Sequence, residues 1–271
     1  MLPVALSIAG SDNSAGAGVQ ADLKTMSALG VYGVTAITCV VAEVPGKVSA
    51  IQAIEPRIVA EQIRLLFEAF PIAAIKTGML YSGEIIEAVC ATLAECLDKC
   101  KLRPPIIVDP VMVATSGDPL LQDDAVALYR QRLFPFATLV TPNLDEVRTL
   151  LDRSIEDLDG MRRAGRELAA EYGCAFLIKG GHLRVDPATD LLCEPAGAIH
   201  EFAGPFVPNV STHGTGCTYA AAIASGMARG LALPEAVQEA KQYLSNVIAR
   251  YLRWEIGGRS TDALHHFAPR P

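Results

Sequence analysis

A doubly wound α/β fold around a mostly parallel sheet is predicted by two features of this sequence. Short β-rich runs alternate with helical patterns along most of its 271 residues. The strand candidates are continuous apolar runs without polar alternation, as expected of strands buried on both faces of a parallel sheet. In order, the strands read as Val4–Ala9, Val34–Ala42, Ala73–Lys76, Ile106–Asp109, Thr138–Thr141 and Ala175–Lys179. The helices between them read as Val19–Leu29, Ile58–Phe70, Gly83–Lys99, Asp123–Leu133 and Ser154–Tyr172. Pro56 suits a first helical turn, and Gly30 and Gly173 suit the residue that closes a helix. Asn143 followed three residues later by Glu146, ahead of an apolar run, is a capping-box pattern. After residue 183, short β-like pieces precede a glycine loop and two helices, Thr218–Arg229 and Pro234–Tyr251. No internal repeat, low-complexity tract or linker interrupts the pattern, so residues 1–271 are expected to form one domain.

Composition narrows the function classes. The chain is 51% hydrophobic with a net charge of −7 and no run of Lys and Arg, which allows a large core and argues against nucleic acid as a partner. Seven cysteines lack paired spacing and leave one over, as reduced thiols of a cytoplasmic protein do. Cys90, Cys96 and Cys100 share one predicted helix with no C-x-x-C pair and no nearby His, so they read as small core residues rather than zinc ligands. Met1–Ala9 has no cationic start and reads as a strand, not a signal peptide. No apolar stretch reaches membrane-spanning length, and no membrane partner is expected.

In such sheets ligands bind beyond the carboxyl ends of the strands. Gly10–Gly18, Glu43, Lys76–Met79, Asp109–Met112, Asn143–Glu146 and Lys179–His182 each follow a predicted strand, so together they would line one rim. His213-Gly214-Thr215-Gly216-Cys217 stands just before an Ala-rich helix. Its two glycines leave backbone N–H groups to converge on an anion at the positive helix end, where a Cys217 thiolate is also favoured. The alternative is that the glycines only let the loop turn and Cys217 packs as a small hydrophobe. Similar pairs of readings hold elsewhere on the rim. Lys179 pairs with a phosphate or caps a neighbouring helix. Asp145 and Glu146 orient a hydrated Mg²⁺ or serve only the cap. Met112 and Val113 wall a flat ring or belong to the core. His182 by itself reads as a satisfied polar residue.

Two other enzyme classes fit single features. Gly16-Ala-Gly18-Val-Gln-Ala21 with Glu43 matches a dinucleotide fingerprint, but Ser11–Ala15 separate it from the strand it should follow directly. His213 and Cys217 suit a cysteine hydrolase, but they share one turn and lack a third partner.

Taken together, Ala9–Lys24, Lys76–Leu80, Val108–Leu121, Thr141–Glu146, Lys179–His182 and Thr212–Thr218 resemble the hydroxymethylpyrimidine/phosphomethylpyrimidine kinases of thiamine biosynthesis. These belong to the ribokinase-like superfamily, and the likeness runs from Ala5 to His266-Phe267. It implies a three-layer α/β/α sandwich. It also implies ATP- and Mg²⁺-dependent phosphorylation of 4-amino-5-hydroxymethyl-2-methylpyrimidine and then of its monophosphate. Carried over by motif, Gly214, Thr215 and Gly216 offer the anion hole, and Cys217 stands where the superfamily's sugar kinases place an Asp base. The helix end is expected to lower its thiol from roughly 8.5 toward neutrality. Lys179, Asn143, Glu146 and Thr212 would serve the nucleotide, and Glu146 and Asp109 the metal. Gly10, Ala17, Asp22, Met79 and Val108 would lie around the pyrimidine with Glu43. A homodimer is implied by the same analogy. One departure stands out: the family pattern ends its second strand in Ala-Gln-Asn-Thr, whereas this chain has Ala42-Glu43-Val44-Pro45-Gly46. A Gln amide donates and accepts along the aminopyrimidine edge, but an ionised Glu43 only accepts. A pyridoxal- or pyridoxine-like ring is therefore the competing substrate.

Overall fold

The computed structural model describes residues 1–112, 123–183, 187–208 and 213–267, the side chains of 123–125 and 182 excepted. Among the described residues nine strands form one sheet: β1 (Val4–Asp12), β2 (Tyr32–Val44), β3 (Lys47–Ala53), β4 (Ile72–Thr77), β5 (Ile106–Val108), β6 (Leu139–Val140), β7 (Ala175–Ile178), β8 (Ala188–Cys193) and β9 (Ile199–Gly204). Their order across the sheet is β3-β2-β1-β4-β5-β6-β7-β8-β9. The run from β2 to β7 is parallel, while β3, β8 and β9 pair antiparallel at the two edges. The interior strands bury both faces, which is why their sequences are unbroken apolar runs.

Alternate residues of each strand feed two separate cores. Leu6, Ile8, Ile75 and Val108 pack under α2 (Pro56–Ala69), α3 (Gly83–Leu97), α5 (Leu144–Leu151) and α6 (Leu158–Tyr172). Ala74, Ile107, Leu139 and Leu177 pack under α7 (Thr215–Ala228) and α8 (Leu233–Ala249). On that second face α1 (Gly18–Ala28) lies beside α7, with Met26, Ala5 and Ala221 in contact. The result is the three-layer α/β/α sandwich that the resemblance implied. The chain runs from β1 outward to β2 and then returns through α2 to β4 on the other side of β1. That reversal opens a crevice at the carboxyl ends of β1 and β4, where α/β sheets bind ligands.

Local signals place most helix ends. Pro56 is in the first turn of α2, Gly173 closes α6 with φ +66°, and Gly30 follows α1 with φ +76°. Asn143 and Glu146 form the reciprocal capping box of α5. Three parts differ from expectation. β2 extends to Val44 and turns at Pro45-Gly46 into β3, whose largely exposed residues carry no core signal. The helix at Asp123–Leu128 (α4) widens into a π turn over Tyr129–Leu133 and then tightens into a 3₁₀ turn over Phe134–Phe136, where Pro135 cannot donate to a continuing helix. α8 ends at Ala249, two residues short of the expected Tyr251, and is followed by an exposed hairpin that the sequence does not predict, β10 (Leu252–Ile256) and β11 (Arg259–Ala263). Cys90 and Cys96 are buried in the α3 core and all seven cysteines are free. Among the described residues no helix is long and apolar enough to cross a membrane.

Candidate active site

The crevice is closed on one side by the N-terminus of α7. Gly214 caps it with φ +81°, and there a Cβ would run into the Gly16 carbonyl oxygen, so this backbone approach needs glycine. The Thr218 amide makes the first helical bond, 2.9 Å to the Gly214 oxygen. The amides of Gly216 and Cys217 precede that ladder and sit at the positive end of the helix. Two charged side chains lie against this end: a Cβ on Gly216 would be 3.2 Å from Asp109 Oδ2 and 3.4 Å from Lys179 Nζ.

Lys179 reaches this place because β7 ends there, with its amide bonded to the Pro142 oxygen at 3.0 Å. Its Nζ lies 2.9 Å from Asp109 Oδ1, which also accepts from Thr141 Oγ1 at 3.1 Å. Burial works against the ammonium, but Asp109 and Glu146 more than compensate and keep it charged. A cation beside a helix N-terminus adds to the positive potential there, and Asp109 balances it. Behind them Glu146 accepts from the Met112 amide at 3.2 Å and the Asn143 amide at 2.8 Å. Val111 sits at φ +46°, a left-handed conformation costly for a β-branched residue (about 1–3 kcal/mol), at the turn that aims the Met112 amide at Glu146. Burial, opposed by Lys179 and reinforced by Asp109, pushes the Glu146 carboxyl up to about 7.

The opposite side is organised by Asp12, which the sequence reading left without a role. Its carboxylate accepts from the amides of Ser14 (2.7 Å), Gly16 (3.1 Å) and Ala17 (2.7 Å), and meets His213 Nε2 at 3.0 Å. Burial opposes its charge, but the hydrogen bonds from His213, Ser14 and Ala17 outweigh it and hold the carboxyl well below the usual range. His213 is correspondingly raised, chiefly by that bond to Asp12. It therefore serves Asp12 and not Cys217, which removes the hydrolase pairing. Glu43, whose amide donates to Asn13 Oδ1 at 2.6 Å, is half-buried beside this pair. Burial and the Asp12 charge raise its carboxyl, with His213 opposing. Asp12, Glu43 and His213 bring one ligand atom each within 4.8 Å of one another, the three-residue metal-type group among the described residues. Asp12 is already saturated with hydrogen bonds, so the group is a hydrogen-bonded network.

Cys217 corrects one expectation. Burial pushes its thiol up to about 11, with Lys76 and the Gly18 amide opposing and Asp22 and Asp109 adding to the rise. The helix end alone does not bring it toward neutrality. Beneath it Lys76 and Asp22 form a fully buried ion pair at 2.8 Å, with Ser7 Oγ donating to the same Asp22 oxygen at 2.5 Å.

The placements of the other candidates divide. Ala17, Met79, Asn143, Glu146, Asp109, Lys179 and the Gly214–Cys217 turn converge on the crevice. Gly10 packs against Cys39 and Met79, where an added Cβ would be 2.8 Å from Cys39 Sγ. Asp22 is not open to a ring, because Lys76 and Ser7 hold it inside the molecule. Val108 is likewise fully buried in the core under α3. As metal residues, Glu146 has both oxygens turned to backbone amides, and Asp109 keeps only Oδ2 clear of hydrogen bonds among the described residues. Met112 belongs to the core, and Thr212, Val113 and the His182 side chain lie outside the described residues. Lys76 was missed as a partner of Asp22, although a lone Lys in an otherwise apolar strand signals a buried countercharge.

The sequence and the fold both have known counterparts. A family model described as phosphomethylpyrimidine kinase matches residues 12–262. A hydroxymethylpyrimidine/phosphomethylpyrimidine kinase of Rhizobium meliloti (strain 1021) is 43% identical over 268 residues, covering 98% of each chain. The thiamine biosynthesis bifunctional protein ThiED of Geobacter sulfurreducens is 43% identical over 243 residues. That match covers 90% of this chain and 48% of the bifunctional protein, so this chain spans about half its length. The crystal structure of an ADP complex of Bacillus subtilis pyridoxal kinase is similar with a TM-score of 0.87 at 31% identity, covering 99% of this chain and 98% of that one.

Proposed function

The chain belongs to the phosphomethylpyrimidine kinase family, and on that premise we propose that it uses ATP to phosphorylate 4-amino-5-hydroxymethyl-2-methylpyrimidine and then its monophosphate. The observation that carries this reading is the N-terminus of α7 with the Lys179 ammonium against it. Phosphoryl transfer asks a protein mainly for positioning and for stabilisation of charge on the equatorial oxygens. The amides of Thr215, Gly216 and Cys217 and the Lys179 cation supply both. When phosphate arrives, Lys179 exchanges its Asp109 partner for the incoming anion. Asp109, through Oδ2, with Glu146 behind it, would hold a hydrated Mg²⁺, and Asn143 would serve the nucleotide side. The ion, when bound, offsets phosphate charge. Cys217 faces the hydroxymethyl group. Its resting thiol is protonated, so it orients the hydroxyl; the hydroxyl oxygen bonds to phosphorus as the bond from phosphorus to the ADP oxygen breaks, and the proton passes to an oxygen of the transferred phosphoryl group.

The ring is read from the β1–β2 side, by Glu43, Ala17, Gly10 and Met79. Burial and the Asp12 charge favour the protonated form of Glu43, and in that form its carboxyl can donate to a ring nitrogen while accepting from the amino group, as the Gln amide does. The KM for the pyrimidine is therefore expected to rise as pH increases and Glu43 ionises, and Glu43→Gln is expected to flatten that dependence. A pH-independent wild-type KM would remove Glu43 from ring recognition. The pyridoxal kinase similarity keeps a second substrate in view. Mass spectrometry of products from Mg-ATP with hydroxymethylpyrimidine, its monophosphate or pyridoxal decides between them. Phosphorylated pyrimidines are expected, and pyridoxal 5′-phosphate as the main product would overturn the assignment. We further read residues 1–271 as one cytoplasmic kinase domain acting as a homodimer, for which Val40, Ala42 and Val44 offer an exposed strip along β2.

A further inference from the structure

We infer that His266, in the segment after β11, is a positioning residue that fixes the first turn of α7 for phosphoryl transfer, an inference that rests on reading that turn as the anion site. His266 Nε2 lies 2.9 Å from Thr218 Oγ1, and Thr218 directly follows Cys217. Both residues are buried, Thr218 completely and His266 at 2% exposure. Burial, aided by the nearby Lys24 charge, holds the imidazole down at about 4, so the ring is neutral at physiological pH. The ring also bonds the Leu264 backbone in a way that favours its protonated form, which makes that contact an N–H donated to the carbonyl. Nε2 is then left as the acceptor and the Thr218 hydroxyl as the donor.

A threonine inside a helix ordinarily returns its hydroxyl to a carbonyl one turn back. Thr218 instead directs it to a residue 48 positions away, so the start of α7 is tied to the carboxyl-terminal segment. That segment is anchored independently of the His266 ring. Leu264 packs in the α7–α8 core, the His265 amide bonds the Val247 oxygen at 3.3 Å, and Tyr243 Oη donates to the His266 carbonyl at 3.1 Å. Among the described residues, the side chain that the imidazole bonds is Thr218, in the turn that presents the Gly216 and Cys217 amides. Transfer rates fall steeply when reacting groups are misplaced by even about 1 Å, so a loosened turn shows first in kcat.

The test is steady-state kinetics on His266→Ala, His266→Gln, Thr218→Val and the Ala/Val double variant, with thermal melts and Gly214→Ala alongside. We expect kcat to fall roughly tenfold or more in His266→Ala and in Thr218→Val, with KM for the acceptor little changed. Gln, whose amide oxygen can accept from Thr218, should restore part of the rate, and the double variant should be no slower than the singles. Wild-type kcat in a folded His266→Ala protein, or strictly additive losses in the double variant, would overturn the inference. If Gly214→Ala also keeps wild-type kcat, the turn is not the reacting site and both readings fall. If Gly214→Ala is slow while the His266 and Thr218 variants are not, only this inference fails.

Discussion

Replacing Gly214 by alanine is expected to reduce kcat by at least about 10³-fold, since removing even one well-placed oxyanion-type donor costs about 10²–10³ and this change displaces several. The residue sits at φ +81°, where an alanine is strained, and its Cβ would collide with the Gly16 oxygen. Gly16 cannot easily retreat, because its own amide is held 3.1 Å from Asp12 Oδ2. The Asp12 carboxylate is in turn locked by Ser14, Ala17 and His213. The strain is relieved only by moving the start of α7, and with it every amide of the anion site. Measurement of kcat at saturating ATP on a variant shown to be folded by circular dichroism checks this. Wild-type turnover would mean that the phosphoryl group is stabilised elsewhere.

Lys179→Met should be nearly as damaging, but with a different signature. The variant loses the Lys179 cation at the α7 terminus, with kcat/KM for ATP expected to drop by about 10²–10³. It also leaves Asp109 and Glu146 without their shared countercharge. Breaking a buried pair by removing one partner costs about 3–5 kcal/mol, and the partial exposure of Lys179 puts this case at the low end. Adding Asp109→Asn removes the orphaned charge, so the double variant should recover stability in urea melts without recovering activity. A Lys179→Met protein that is destabilised but keeps wild-type kcat/KM for ATP would make Lys179 a purely structural ion-pair partner.

The fold was legible wherever burial writes itself into short-range pattern. The apolar runs of β1, β4, β5 and β7, the Pro56 and Gly173 helix ends and the Asn143–Glu146 capping box all depend on residues within one turn or one strand of each other. β3 and the β10–β11 hairpin were not legible, because exposed strands carry mixed polar sequences that resemble loops. At the site, the glycine turn at 214–216 and Lys179 announced themselves through spacing and through position after a strand. Asp22 and Val108 were carried in by resemblance, yet the packing turns both inward.

By itself, then, the sequence determined the order of strands and helices, the rim on which polar segments gather, and the motifs that identify the family. Only the tertiary structure decided which charges meet: Asp109 with Lys179 across 70 positions, and Asp12 with His213 across 201. It also decided that the Cys217 thiol rises rather than falls, because burial and the neighbouring Asp22 and Asp109 outweigh Lys76 and the Gly18 amide. The physical reason is one of range. Helix caps and strand periodicity arise from neighbours along the chain, whereas hydrogen bonds, Coulomb forces and desolvation act over a few ångströms of space that only the folded chain defines.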